Sequence, residues 1–326
     1  ELFADTPRAL ARSADGNTVY AAAFHSGNQT TSILETLVCD GGASAGPCTP
    51  TTGTNAPGGL PAPNVDADNV LGPETGLIVK FDNGASQWLD TLGRDWSNVV
   101  RFNLPDRDVF AIDAAAAIPV ATSSFQHVGT ILFDMVQNPV NGKVYVTNTD
   151  ANNAVRFEGP GLNGATTVQG HLHEARVTVL DGANVLPRHL NKHIDYDVRP
   201  APPGTAANSL ATPTAMAVTS DGATLYVAAF GSSKIGVFQT SQIENDSFTP
   251  SAASHITLSG GGPTGIVLDE ARSRIYALTR FDNSIAIVDT GTASEIAQVA
   301  LFNPEPESVR DGRPMLYDAA FTSSNG

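Results

Sequence analysis

Four of the chain's histidines fall close together: His171 and His173 in "HLHEA", His189 and His193 in "RHLNKH". An H-x-H pair on a strand points both rings to one face, and histidines four apart meet on one side of a helical turn. Together the four could ligate copper, zinc or iron, with Asp195 and Asp197 accepting hydrogen bonds behind them. The competing reading makes them surface or loop-anchoring residues in a long connection. A second stretch, "NVDADN" (64–69), gathers Asn64, Asp66 and Asp68 into an oxygen-rich loop of the kind calcium takes. It lacks the glycine and the distal glutamate of an EF-hand, so an ordinary loop is the plainer reading. Cys39 and Cys48 flank "DGGASAGP", whose glycines and alanines let the segment close on itself. A disulfide is the preferred reading, with two free thiols as the alternative. A bridge implies an oxidising compartment. No second Cys or His pair stands nearby at zinc spacing. G-x-S-x-G, G-x-x-x-x-G-K and H-E-x-x-H are all missing from the sequence. Trp88 and Trp96 flank "LDTLGRD", where packing is the simpler role and a sugar platform the alternative.

The elements that must hold such residues are short and turn-rich. The 326 residues include 30 Gly and 21 Pro, with 41% hydrophobic content, enough to bury a core. Eighteen Lys and Arg stand against 33 Asp and Glu, a formal charge of −15 that repels phosphate backbones and argues against nucleic acid. No apolar run is long enough to span a membrane. The opening Glu1-Leu2-Phe3, without Met, reads as a trimmed or mature product.

Three segments align without gaps: "PRALARSADGNTVYAAAF" from Pro7, "PTAMAVTSDGATLYVAAF" from Pro213 and "PTGIVLDEARSRIYALTR" from Pro263. A fourth, diverged copy starts near Leu132 and carries "NGKVYVTNTD". Each copy reads as an alternating strand, a tight turn and a second strand that carries Tyr20, Tyr226, Tyr276 or Tyr145. A third strand such as "NSIAIVDT" and a fourth such as "SEIAQVAL" complete a four-stranded antiparallel blade. The spacings predict an all-β, seven-bladed β-propeller with starts near 7, 49, 90, 132, 172, 213 and 263, or six blades if 39–75 replaces one. A single propeller domain over 1–326 is expected, with 39–75 as a loop-rich insertion and 303–326 as a closing segment or linker. Closing the ring calls for a strand across the seam, from residues 1–6 or from 315–324. "FDN" at 81–83 and 281–283, and "TDANN" at 149–153, read as turn residues.

"KVYVTNT", "TLYVAAFGSSKIGVF" and "RIYALTRFDNSIAIVDT" resemble the YVTN-type β-propeller repeat. Such repeats occur in secreted and surface-layer proteins and resemble the propeller subunits of periplasmic amine dehydrogenases. "NPEPESVRDGRPMLYDAAFTSSNG" (303–326) looks like the run-up to the cytochrome c module of bacterial propeller–cytochrome proteins. The resemblance implies a periplasmic, cell-surface or secreted protein and a fragment of a longer electron-transfer chain. Haem c would enter only if a C-x-x-C-H domain followed Gly326, since these residues hold no such motif and no covalent cofactor.

The expected function is therefore a non-catalytic scaffold contacting a fused or separate c-type cytochrome or another envelope protein. The alternatives are a hub enzyme, either a metal-dependent oxidoreductase or a lactonase-like hydrolase, and a surface adhesin or carbohydrate binder.

Overall fold

Residues 2–39, 45–50, 54–59, 76–100, 105–152, 173–196 and 201–319 are described by a computed structural model. The turns come first. Gly16, Gly142 and Gly222 take φ of 76°, 76° and 70°, the left-handed region that the Asp-Gly and Asn-Gly pairs predict. Each turn joins two antiparallel strands.

β1 (Pro7–Arg12) and β2 (Thr18–Ala23) pair in this way. The chain then leaves the sheet and builds β3 (Thr30–Ile33), β4 (Leu77–Asp82) and β5 (Gln87–Leu89) as a separate three-stranded sheet. It returns with β6 (Val109–Asp113) and β7 (Val120–Phe125), giving the order β1-β2-β6-β7. The second sheet runs β8 (Ile131–Gln137), β9 (Val144–Ala151), β10 (His173–Asp181) and β11 (Asn184–His189). The third holds β12 (Pro213–Val218), β13 (Thr224–Ala229), β14 (Lys234–Gln239) and, after helix α1 (Thr240–Glu244), β15 (His255–Thr257). The fourth holds β16 (Pro263–Asp269), β17 (Arg274–Thr279), β18 (Ser284–Asp289) and β19 (Ser294–Ala300). Helix α2 (Glu307–Tyr317) follows. No helix among the described residues is long and apolar enough to cross a membrane.

The all-β, four-stranded architecture of propeller blades is thus present. Four blades are seen among the described residues, where the spacing predicts seven or six. The predicted starts at 7, 132, 213 and 263 coincide with innermost strands. Those at 49, 90 and 172 do not. The strands of 76–114 are divided between two sheets: β4 and β5 belong to the inserted sheet, and β6 is the third strand of the first blade. The strand near 172 is β10, the third strand of the second sheet, paired to β9 with Thr178 opposite Val146. Uniform spacing fails because two blades carry long excursions between their second and third strands.

The blades hold together face to face. Tyr20, Ala22 and Val109 of the first meet Leu132, Met135 and Val144 of the second. Tyr145, Val177 and Val179 of the second meet Met216, Leu225 and Val227 of the third. Tyr226, Ile235 and Ile256 of the third meet Ile275, Ala277 and Val288 of the fourth. Each buried Leu, Ile or Val contributes about 1.5–3 kcal/mol. The repeated tyrosine therefore marks the face that covers the next blade. Tyr145 is fully buried, and its hydroxyl donates to Glu244 Oε1 of α1 at 2.6 Å while accepting from Asn138 Nδ2 at 3.0 Å. Burial, then the Glu244 carboxylate, push its phenol well above the usual tyrosine range. The innermost strands pack in sequence, β1 on β8, β8 on β12, β12 on β16, as blades around an axis do.

The inserted sheet has its own small core of Ile33, Leu77, Val79, Trp88 and Trp96. Cys39 and Cys48 are disulfide-bonded beside it, their Cα atoms 5.9 Å apart. Both tryptophans are buried in packing. Trp96 Nε1 and Arg94 Nε both donate to Asp90 Oδ2, at 3.0 and 2.6 Å. The expected closing strand is not found in the described part of either terminus. Residues 307–317 form α2 instead, anchored by Arg313, which pairs with Glu305 and donates to Arg280 O at 2.9 Å. Tyr317 lies against Phe230 and Phe281.

Leu225→Ala, in a fully buried position between the second and third blades, is expected to cost about 2–5 kcal/mol. Leu92→Ala, at an exposed position, is expected to cost under ~0.5 kcal/mol. Chemical denaturation followed by circular dichroism measures both.

Candidate functional site

The loops joining second to third strands, and one blade to the next, gather at one end of the blades. Asp106 and Asp108 sit there, where the chain re-enters the first sheet just before β6. The re-entry pins both carboxylates through backbone groups of the loop that follows β7. His127 N donates to Asp106 Oδ2 at 2.8 Å, and Val128 N donates to Asp108 Oδ2 at 2.7 Å. His127 Nδ1 lies 3.2 Å from the same Asp106 oxygen, and its Nε2 lies 2.9 Å from Asn83 Nδ2 of the inserted sheet. With Asn83 donating to Nε2, the Nδ1 proton faces Asp106. Histidine and carboxylate thus form an oriented pair.

Asp106 and Asp108 are almost completely buried, and the Oδ1 atom of each has no N–H or hydroxyl donor. Two carboxylates this close do not both ionise readily. Burial first, then the hydrogen bond and charge of Asp106, push the Asp108 carboxyl up to about 8. Asp108 therefore keeps its proton at neutral pH. Asp106 also lines a cavity of about 490 Å³, together with Ser26, Thr30, Ile33, Trp88 and Val100. No residue of β1, β8, β12 or β16 lines it, so it lies beside the central axis rather than on it. A second cavity of about 410 Å³ shares Ser26 and Pro105 and is lined by His25 and Arg107.

A buried network fixes the inserted sheet over this place. Asp150 of β9 accepts from Asn28 Nδ2 (2.7 Å), Lys80 Nζ of β4 (2.6 Å) and Thr130 Oγ1 (3.2 Å), and pairs with Arg176 of β10 at 2.7 Å. Read in sequence as a turn residue, Asp150 is instead the tie between insertion and second blade. Gly129 lies so close to Asn148 that an added Cβ would come within 2.3 Å of Asn148 Oδ1. Glycine is required there by contact. The Oδ1 atoms of Asn28 and Asn148 are also buried without a donor. They are hard oxygen ligands of the type a calcium ion takes.

The residues singled out by sequence lie elsewhere. His171, and the proposed calcium set Asn64, Asp66 and Asp68, lie outside the described residues. His173 is exposed at the start of β10, and His189 ends β11 with its ring stacked on Tyr196, centroids 6.4 Å apart. His193 Nε2 lies 3.1 Å from Thr205 O and 3.3 Å from Ser209 Oγ. Among the described residues no three His, Cys, Asp or Glu side chains gather to hold a metal ion. Asp106 and Asp108 match none of the catalytic motifs sought in the sequence, and "DVFAIDA" (108–114) has the pattern of a strand. The D-x-D spacing at the strand's entry was the available signal.

No family model and no curated protein matches the chain. Several solved structures share its fold. Hydrazine synthase of Kuenenia stuttgartiensis is 15% identical over 87% of this chain and 84% of that one, with a TM-score of 0.40. The periplasmic gluconolactonase of Pseudomonas aeruginosa is 11% identical over 92% of this chain, with a TM-score of 0.42. A Bacteroides fragilis protein assigned as a 6-phosphogluconolactonase is 12% identical over 93% of this chain, with a TM-score of 0.43. The chain spans 59% of the length of each of these last two. The likeness extends to the β-propeller fold alone. Lactonases recur among the matches, and the expectation of a non-catalytic scaffold tied to cytochrome electron transfer is withdrawn. The case for the lactonase-like alternative rests on the site alone.

Because the Asp108 carboxyl is raised on folding, its protonation favours the folded state. That contribution is whole below 3.8 and is lost as pH climbs through about 8. Asp108→Asn retains an N–H donor toward Asp106 and carries no charge. Between about pH 5 and about pH 9 the wild-type Tm is expected to fall relative to the variant by at least ~4 °C. Scanning calorimetry across that range measures the difference.

Proposed function

We propose that the chain is a hydrolase of lactones or similar esters, working from Asp106. One observation carries this reading: Asp106, held beside the raised Asp108 carboxyl and an oriented histidine, is among the residues that line a cavity of about 490 Å³. Asp106 takes a proton from a water in the cavity as the water oxygen bonds to the lactone carbonyl carbon. The ring C–O bond then breaks, and the proton returns from Asp106 to the departing oxygen, leaving a hydroxy acid. His127 and Asp108 position the Asp106 carboxyl without touching substrate. Ile33, Trp88 and Val100 give the cavity an apolar wall, and Ser26 and Thr30 a polar one. The disulfide supports a location outside the cytoplasm, in the periplasm, at the cell surface or in the medium.

A panel of γ- and δ-lactones, followed by acid release with a pH indicator, tests the reading. Turnover of at least one is expected, with kcat/KM lowered about 100-fold or more in Asp106→Asn and the fold unchanged by circular dichroism. An inactive wild-type protein across the panel, or full activity in Asp106→Asn, overturns it.

A further inference from the structure

The cavity beside Asp106 is built by two different parts of the chain. Where the chain leaves and re-enters the first blade it contributes Ser26, Gly27, Pro105 and Asp106. The inserted sheet and its turns contribute an apolar wall of Ile33, Leu34, Leu37, Trp88, Val99 and Val100. β3 leads from one side to the other, opening on Thr30 and closing on Ile33, with Leu34 just beyond. The stretch from Thr30 to Leu34 covers about 13 Å at ~3.3 Å per residue.

Local structure holds the apolar side chains in this wall. Ile33 and Trp88 belong to the small core of the inserted sheet, and Leu37, Val99 and Val100 are only partly buried against it. Leu37 N donates to Leu34 O at 2.9 Å, closing a 3-10 turn that sets both leucines on one side. Val99 N and Val100 N both donate to Trp96 O, at 2.9 and 3.2 Å, while Trp96 N donates to Trp88 O at 2.7 Å. The two valines are thereby pinned to β5. Leu34 is 65% exposed, so the apolar wall continues out to solvent. One side of the insertion's core thus faces open space, and an apolar group seated there would leave water together with these side chains. Among the described lining residues Asp106 is the only charged one.

We propose that the substrate is a lactone carrying an apolar chain, its ring beside Asp106 and its chain along Ile33, Leu37, Val99 and Val100. This names the substrate class of the hydrolase reading and rests on it. The length of the wall suits a five-membered ring bearing a chain of about four to six carbons. A polyhydroxylated lactone would set its hydroxyls against apolar side chains, away from water and without partners. Each methylene withdrawn from water favours the bound state by about three- to fourfold. The wall belongs to the insertion and the reacting carboxyl to the first blade, so chain and ring are recognised by separate elements.

The test compares kcat/KM for γ-butyrolactone, γ-octalactone and glucono-δ-lactone. Isothermal titration calorimetry measures binding of the unreactive lactams 2-pyrrolidinone and 5-butyl-2-pyrrolidinone alongside. The added carbons of γ-octalactone are expected to raise kcat/KM over γ-butyrolactone by about 20-fold or more, and the butyl lactam to bind more tightly than its parent by a similar factor. Leu37→Ser and Val99→Ser are each expected to shrink both ratios by about fivefold or more. Leu34→Ser, at an exposed position, takes their place if far-UV circular dichroism shows that either has lost its fold. Hydrolysis that gains nothing from the chain, or that prefers glucono-δ-lactone, overturns this inference and leaves the hydrolase reading standing. Chain-dependent lactam binding without turnover of any lactone keeps the apolar-chain site and overturns the hydrolase reading. Neither turnover nor chain-dependent binding overturns both.

Discussion

Everything in this molecule depends on sheets that are apolar on both sides. A four-stranded blade with one wet face can stand on alternation alone, but these blades alternate apolar with apolar. Tyr145 and Val179 serve one neighbour while Leu132 and Met135 serve another. Such a sheet gains its burial energy only between two others, so blades stack and the stack must turn. The tyrosine fits this duty because its ring fills the wide gap between twisted sheets and its hydroxyl reaches the rim. There Tyr145 finds Glu244 and Asn138.

The site inherits its precision from that stacking. Asp106 and Asp108 stand on the short lead into β6, a strand paired on both edges. Their donors, His127 N and Val128 N, lie on the lead into β8, the inner strand of the neighbouring blade. Two strand entries in adjacent blades thus hold the two carboxyls, and the interface between those blades sets their separation. The inserted sheet supplies Asn83 and Trp88 and is tied down by Lys80 on Asp150. Burial of two acids beside each other is costly and is offset by the proton Asp108 retains and by three fixed donors, His127 N, His127 Nδ1 and Val128 N.

Much of the scaffold was legible in the residues. Pro7, Pro213 and Pro263 with Tyr20, Tyr226 and Tyr276 mark true blade starts, because turn chemistry and alternation are local properties. Asn141-Gly142 marks the fourth for the same reason. The count was not legible where the chain departs from local order. Nothing in the composition of 24–108 says that β2 and β6 are partners, since pairing across such a distance leaves no periodic trace. The described tail forms α2, its polar residues, Arg313 and Glu305 above all, finding partners on the blade loops. The site was the least legible part. Clustered histidines drew attention by proximity in sequence, whereas Asp106, Asp108 and His127 are brought together by a sheet entry and a blade junction. Cys39 and Cys48 were readable, being neighbours along the chain.

The excursion inside the first blade bears on how the chain reaches this state. In the third and fourth blades every strand pairs with its sequence neighbour, so each can form by successive short closures. The first blade cannot: β2 must wait for β6, after the disulfide loop and three further strands have been made. Loop closure over that span carries an entropic cost that the nearer hairpins avoid. Assembly is then polarised, with a carboxyl-terminal half that zips early and an amino-terminal blade that locks last. The acid pair, standing at the lock, comes into existence only when that final pairing is complete.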